Sequence, residues 1–190
     1  PMFAHGQVEG FREKYGMAFT RAFWNEEPDR GRVERHERSI FPLLRRRHLF
    51  ARAERFRLYD LFAPEGWVNE DVFAYSNASG AERSLVLYNN SPRRAQGWIR
   101  ESAAYAEKVP GGKRLARSTL AEGLALDSGD GRYVTFREHG SGLEYLRGSR
   151  EIAERGLAVD LEPYGFQVFL DFAEVADDAR GSWSRLCGRL

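Results

Sequence analysis

Near residue 53 the apolar residues of this chain change their period, and that change bounds what it can fold into. Before it, Val33, Ile40 and Leu44 recur at helical spacing. After it, short alternating runs such as Phe56-Arg57-Leu58-Tyr59 are separated by turn-forming residues. A helical period and a strand period cannot share one element. The sequence therefore divides into residues 1–52, which end in a helix, and residues 53–190, which are mainly β.

In the first part, the apolar residues 1–4 predict the end of a strand, and Gly6 begins a loop. The loop runs to Pro28 and carries Tyr15, Phe19, Phe23 and Trp24. A long loop so rich in aromatics either folds against something or lines something. Asp29 is placed to cap the helix that follows, and Pro42, which lacks a backbone donor, kinks it or starts another.

In the second part, residues 72–77 and 84–89 predict a hairpin closed by 78–81. Trp98-Ile99-Arg100 predicts a further strand, and 105–115, around Pro110-Gly111-Gly112-Lys113, a loop. Thr119 and Glu122 stand at capping-box spacing, and residues 133–137 return to strand. Residues 143–155 have helical propensity and stop at Gly156. Residues 157–161 and 166–170 flank Glu162-Pro163-Tyr164-Gly165 and predict a second hairpin. A short helix around Trp183 and Leu186 is expected to pack on the sheet.

Composition excludes more than it identifies. The 190 residues allow one good core, or one core and a remnant of another. No apolar run approaches the roughly 20 residues of a membrane helix, so no membrane partner is expected. Net charge is only +1, although residues 30–57 hold ten arginines against Glu34, Glu37 and Glu54. With no interleaved aromatic stacking pattern, that stretch reads as a solvated helix surface, and no nucleic-acid partner is expected. Cys187 is the only cysteine, which fits a reducing, cytoplasmic location. The opening residues lack the basic and apolar regions of a signal peptide and do not begin with Met, so the chain reads as cut from something longer.

Familiar chemical motifs fail on inspection. Gly111-Gly112-Lys113 is followed by Arg114 where a phosphate loop needs Ser or Thr. Gly140-Ser141-Gly142 is too tight for a nucleophile elbow. Four scattered histidines show no metal-ligand spacing, so neither metal nor cofactor is expected. Glycoside hydrolysis needs two carboxylates flanking the bond, and no such pair is apparent, so no catalytic residue is assigned. Glu65, Glu70 and Asp71 surround Trp67, as at a sugar platform or at a surface turn over a buried indole; the second reading is taken.

The order of these elements resembles the end of α-amylase-superfamily enzymes, glycoside hydrolase family 13. Pro1-Met2-Phe3-Ala4-His5-Gly6-Gln7 is similar to that family's segment at the eighth barrel strand. The family often has Glu two residues after the glycine; here Val8 stands there and Glu9 follows. Asp71-Val72-Phe73-Ala74-Tyr75-Ser76-Asn77 and Leu85-Val86-Leu87-Tyr88-Asn89-Asn90 look like the opening hairpin of its C-terminal domain. The resemblance implies a mixed fold: the last strand, loop and helix of a (β/α)8 barrel over 1–52, then a mainly antiparallel β-sandwich with short helical insertions over 53–190. It implies a parent acting on α-glucans as hydrolase or transglycosylase, with the family's three catalytic carboxylates upstream of Pro1. Barrel sites are built from loops at the C-terminal ends of strands. Gln7, Glu9, Tyr15 and Trp24 are thus expected to line the cleft, amides and acids to hydroxyls and aromatics to sugar faces. The implied partners are an α-glucan or oligosaccharide and the upstream barrel of the same polypeptide. The alternative is a non-catalytic carbohydrate-binding or structural β-domain.

Overall fold

The computed structural model describes residues 3–13 and 21–190. The chain forms two compact units, Pro1–Arg47 and His48–Leu190.

The first unit has little regular structure before its helices. Phe3 and Ala4 belong to no strand, and the rest of the expected opening strand lies outside the described residues. Asp29 caps α1 (Arg30–Ser39), its carboxylate accepting the Arg32 amide at 3.1 Å. Pro42 sits in the first turn of α2 (Phe41–Arg45), where its missing N–H costs nothing. Neither helix buries a residue fully, and Val33, Ile40 and Leu44 are half-buried. The short α3 (Arg47–Phe50) leads into the second unit.

That unit is built on an antiparallel sheet. Its strands are β1 (Arg57–Phe62), β2 (Val68–Ser79), β3 (Glu82–Asn89), β4 (Ala95–Ser102), β7 (Arg132–Glu138), β8 (Glu144–Gly148), β9 (Leu157–Leu161) and β10 (Phe166–Ala176). Between β4 and β7 lie a separate two-stranded hairpin, β5 (Tyr105–Val109) with β6 (Gly112–Ala116), and the helix α4 (Leu120–Gly123). Helix α5 (Ser149–Arg155) follows β8, and α6 (Ser182–Cys187) lies against β8. The sheet order is β8-β7-β10-β3-β2-β1-β4-β9. The β2–β3 hairpin pairs Ser79 with Glu82 across its turn, and the Thr119–Glu122 capping box is fully formed.

Three expectations need correction. Residues 105–115 are largely a hairpin, not a loop: Glu107 pairs with Arg114 and Lys108 with Lys113. Residues 143–155 are not one helix. The first half is β8, paired along β7, and only the second half is α5. The segments 157–161 and 166–170 do not pair with each other; β9 pairs with β4, and β10 with β3 and β7.

The last correction shapes the unit. β9 and β10 stand five places apart in the strand order, yet four residues join them. Five strand spacings in a flat sheet cover about 24 Å, whereas five extended residue steps reach only about 17 Å. The sheet has to curl. Leu61, Leu87, Ile99, Val134, Phe136, Val159 and Phe169 form one core, with Leu120 of α4, Leu124 at its C-cap and Ile152 of α5. Within it Tyr59 donates to or accepts from Ser76 Oγ at 2.7 Å, and burial pushes its hydroxyl up to about 12.

Candidate functional site

The loop ahead of α1 is held by its own backbone and by two carboxylates. Gly6 accepts from the amides of Gly10 at 2.7 Å and Phe11 at 2.9 Å, forming a tight turn. Gly6 has φ +69°, and a Cβ there would meet Phe11 Cβ at 2.6 Å, so only glycine fits. The carbonyl of Glu9 accepts the Asp29 amide at 2.8 Å, which ties the start of the loop to the start of α1.

The clamp is reciprocal. Glu26 accepts the amides of Arg12 and Glu13, both at 2.9 Å. Glu13 in turn accepts those of Phe23 and Trp24, both at 2.8 Å. The Arg12 and Glu13 amides hold the Glu26 carboxyl below its usual range. The clamp leaves both aromatics outward, Phe23 at 68% and Trp24 at 59% exposure.

Of the residues expected to line a cleft, Gln7 is exposed and its Oε1 accepts the Ala4 amide at 3.0 Å, leaving its NH2 group as a donor. Glu9 is half-buried, and Trp24 is exposed. Tyr15 lies outside the described residues. No hydrogen bond joins the side chains of Gln7, Glu9 and Trp24 among the described residues; Gln7 is tied to Ala4, Glu9 through its carbonyl to Asp29, and Trp24 through its amide to Glu13. Glu13 and Glu26, which make the clamp, carry no sequence signal beyond being acids in a long loop.

In the second unit, one aromatic corrects the sequence reading. Trp67 is 55% exposed, not buried. It follows the turn between β1 and β2, where the Gly66 amide donates to Ala63 O and the Ala63 amide to Trp67 O, both at 2.8 Å. Pro64 presets the turn, and Gly66 takes the left-handed conformation, φ +91°, that closes it. A cleft of about 460 Å³ is lined by Trp67, Asn69, Glu70, Asp71 and Arg94, among others. A smaller one, about 230 Å³, adjoins it and shares Trp67, Asn69 and Arg94. The Arg94 guanidinium forks onto Asp160 at 2.7 and 2.6 Å, and Gln96 reaches the same carboxylate at 3.0 Å. Those bonds, Arg94 first, hold Asp160 below its usual range.

Among the described residues, no three His, Cys, Asp or Glu side chains gather as a metal site would need, and no helix is long and apolar enough to cross a membrane. No family model matches the chain, and no curated protein matches it.

Proposed function

We propose that this chain is the C-terminal portion of an α-glucan-active enzyme of the α-amylase superfamily, a retaining hydrolase or transglycosylase. In this reading residues 1–52 are the last strand, loop and helix of a (β/α)8 barrel, and residues 53–190 are its accessory domain, the curled antiparallel sheet standing where the family has a β-sandwich. The observation that carries it is the order of parts: a glycine turn, a clamped loop presenting Trp24, a capped helix, then an antiparallel sheet containing the β2–β3 hairpin.

Two features support an upstream barrel as partner. Helices α1 and α2 leave Val33, Ile40 and Leu44 only half-covered. On the sheet, Phe73, Tyr88 and Phe166 are cross-strand neighbours, and all three are exposed. Such apolar rows suit surfaces that another layer covers. Chemically, the chain contributes binding. Gln7 donates to hydroxyls, Glu9 accepts from them, and Trp24 and Tyr15 offer flat faces to sugar rings. The nucleophile and acid of a double displacement lie upstream.

The test is to express the coding sequence together with what precedes Pro1 and assay it on maltooligosaccharides and other glycosides. Turnover of α-glucans is expected, with Trp24→Ala raising KM more than it lowers kcat. No turnover of any glycoside would sink the reading. The second reading, a non-catalytic carbohydrate-binding β-domain, is favoured over a purely structural one by the outward indole of Trp67.

A further inference from the structure

We infer that the turn at Trp67 is a binding site for a neutral oligosaccharide chain. It deepens and rests on the carbohydrate-binding reading of the β-domain, and is independent of the barrel-cleft reading.

Trp67 holds an apolar plate in water, at 55% exposure, on a short and doubly hydrogen-bonded turn. The turn fixes the backbone that carries the indole, so binding has only its two side-chain torsions to order. Polar groups of both kinds surround it. Arg94, Gln96 and Asn69 bring donors, while Glu65, Glu70 and Asp71 bring acceptors. A pyranose ring has the matching chemistry: an apolar C–H face and a rim of hydroxyls that both donate and accept. The larger cleft falls in the usual range of small-ligand sites, about 300–1,000 Å³. Because a second cleft meets it at Trp67, the fit is to a chain of sugars and not to a single ring. Asn89, a fully buried residue whose Oδ1 has no hydrogen-bond partner, also lines the larger cleft.

Charge separates this ligand from others. Arg94 is already bound by Asp160, with Glu162 at 3.7 Å. Together with Glu65, Glu70 and Asp71, these carboxylates outnumber the arginines at the turn, so a phosphate or nucleotide is repelled. A cationic peptide is drawn by the same surplus, but it lacks the flat C–H face of a sugar ring that matches the Trp67 plate, so oligolysine is the competing ligand in the test.

The experiment titrates the 190-residue chain with maltoheptaose, cellohexaose, xylohexaose and an oligolysine peptide, by calorimetry at low and high salt. Saturable, salt-independent binding of an oligosaccharide is expected. Trp67→Ala weakens it by about tenfold or more, as removal of a central aromatic anchor does. Trp67→Phe retains part of it, Trp98→Ala retains all of it, and all three variants unfold at the parent temperature. Binding confined to cellohexaose or xylohexaose and lost in Trp67→Ala supports the site while counting against the α-glucan reading. Binding lost in Trp24→Ala but unchanged in Trp67→Ala overturns the inference and leaves the cleft reading standing. Binding of oligolysine alone, or of nothing, also overturns it.

Discussion

Glu138 is a carboxylate with only 5% exposure, held in the sheet by backbone donors. It accepts from Gly140 at 2.9 Å, from Ser141 at 2.5 Å and from Val168 at 3.4 Å, joining the β7–β8 turn to β10. Burial pushes its carboxyl up, but the Gly140, Ser141 and Val168 amides and the Ser141 hydroxyl together hold it below its ordinary value. Glu138→Gln turns an NH2 group towards N–H donors and is expected to cost about 2 kcal/mol in urea unfolding at neutral pH. The pH dependence has a definite sign. A lowered folded pKa means that the stabilisation is complete above the unfolded value, about 4.3, and is lost as pH falls through the folded one. The gap between wild type and Glu138→Gln therefore closes on acidification. A constant gap from pH 7 to 3 would show that the carboxylate charge is immaterial.

At the scale of elements, the loop clamp behaves as a unit because each carboxylate holds the loop segment that carries the other. Removing either releases both. Glu13→Ala or Glu26→Ala is expected to speed hydrogen exchange at the amides of Arg12, Phe23 and Trp24 together, read residue by residue by NMR. In the wild type, protection is full above the unfolded pKa of Glu26 and fades as pH falls through its lowered folded value. Exchange that rises at one edge only would break the idea of a reciprocal clamp. Elements also differ in legibility. The α1 cap and the α2 proline act within one turn, so their residues declare them. The β5–β6 hairpin buries no residue, so it lacks the apolar alternation that marks a strand, and Pro110-Gly111 alone hinted at it. β8 carries helix-favouring Glu, Leu and Arg, but pairing with β7 outweighs that local preference.

At the largest scale, the curl of the sheet in the second unit depends on the short link from β9 to β10. Asn89, at the end of β3, secures it: Nδ2 donates to Arg93 O at 2.6 Å and to Glu162 O at 3.0 Å. Its backbone amide reaches Gly165 O at 2.9 Å, and Tyr164 donates to Ser91 O at 3.0 Å. Asn89→Ala leaves two carbonyls unsatisfied and is expected to destabilise the chain by about 3 kcal/mol, lowering Tm and the urea midpoint together. An unchanged Tm would mean that the curl is held by core packing alone.

Local chemistry was enough to place caps, the proline-set helix start, the β2–β3 turn and the apolar face of β9, since these depend on neighbours within a few residues. Strand partners were not legible. The 162–165 turn has hairpin composition, but a turn sets only the direction of the chain; β9 pairs with β4 and β10 with β3 and β7, which places Leu157, Val159, Leu161 and Phe169 in the shared core. For the same reason the sequence could name Trp67 and its acids without saying whether the indole was inside. Exposure is a property of what packs around a residue, and only the curled sheet decided that.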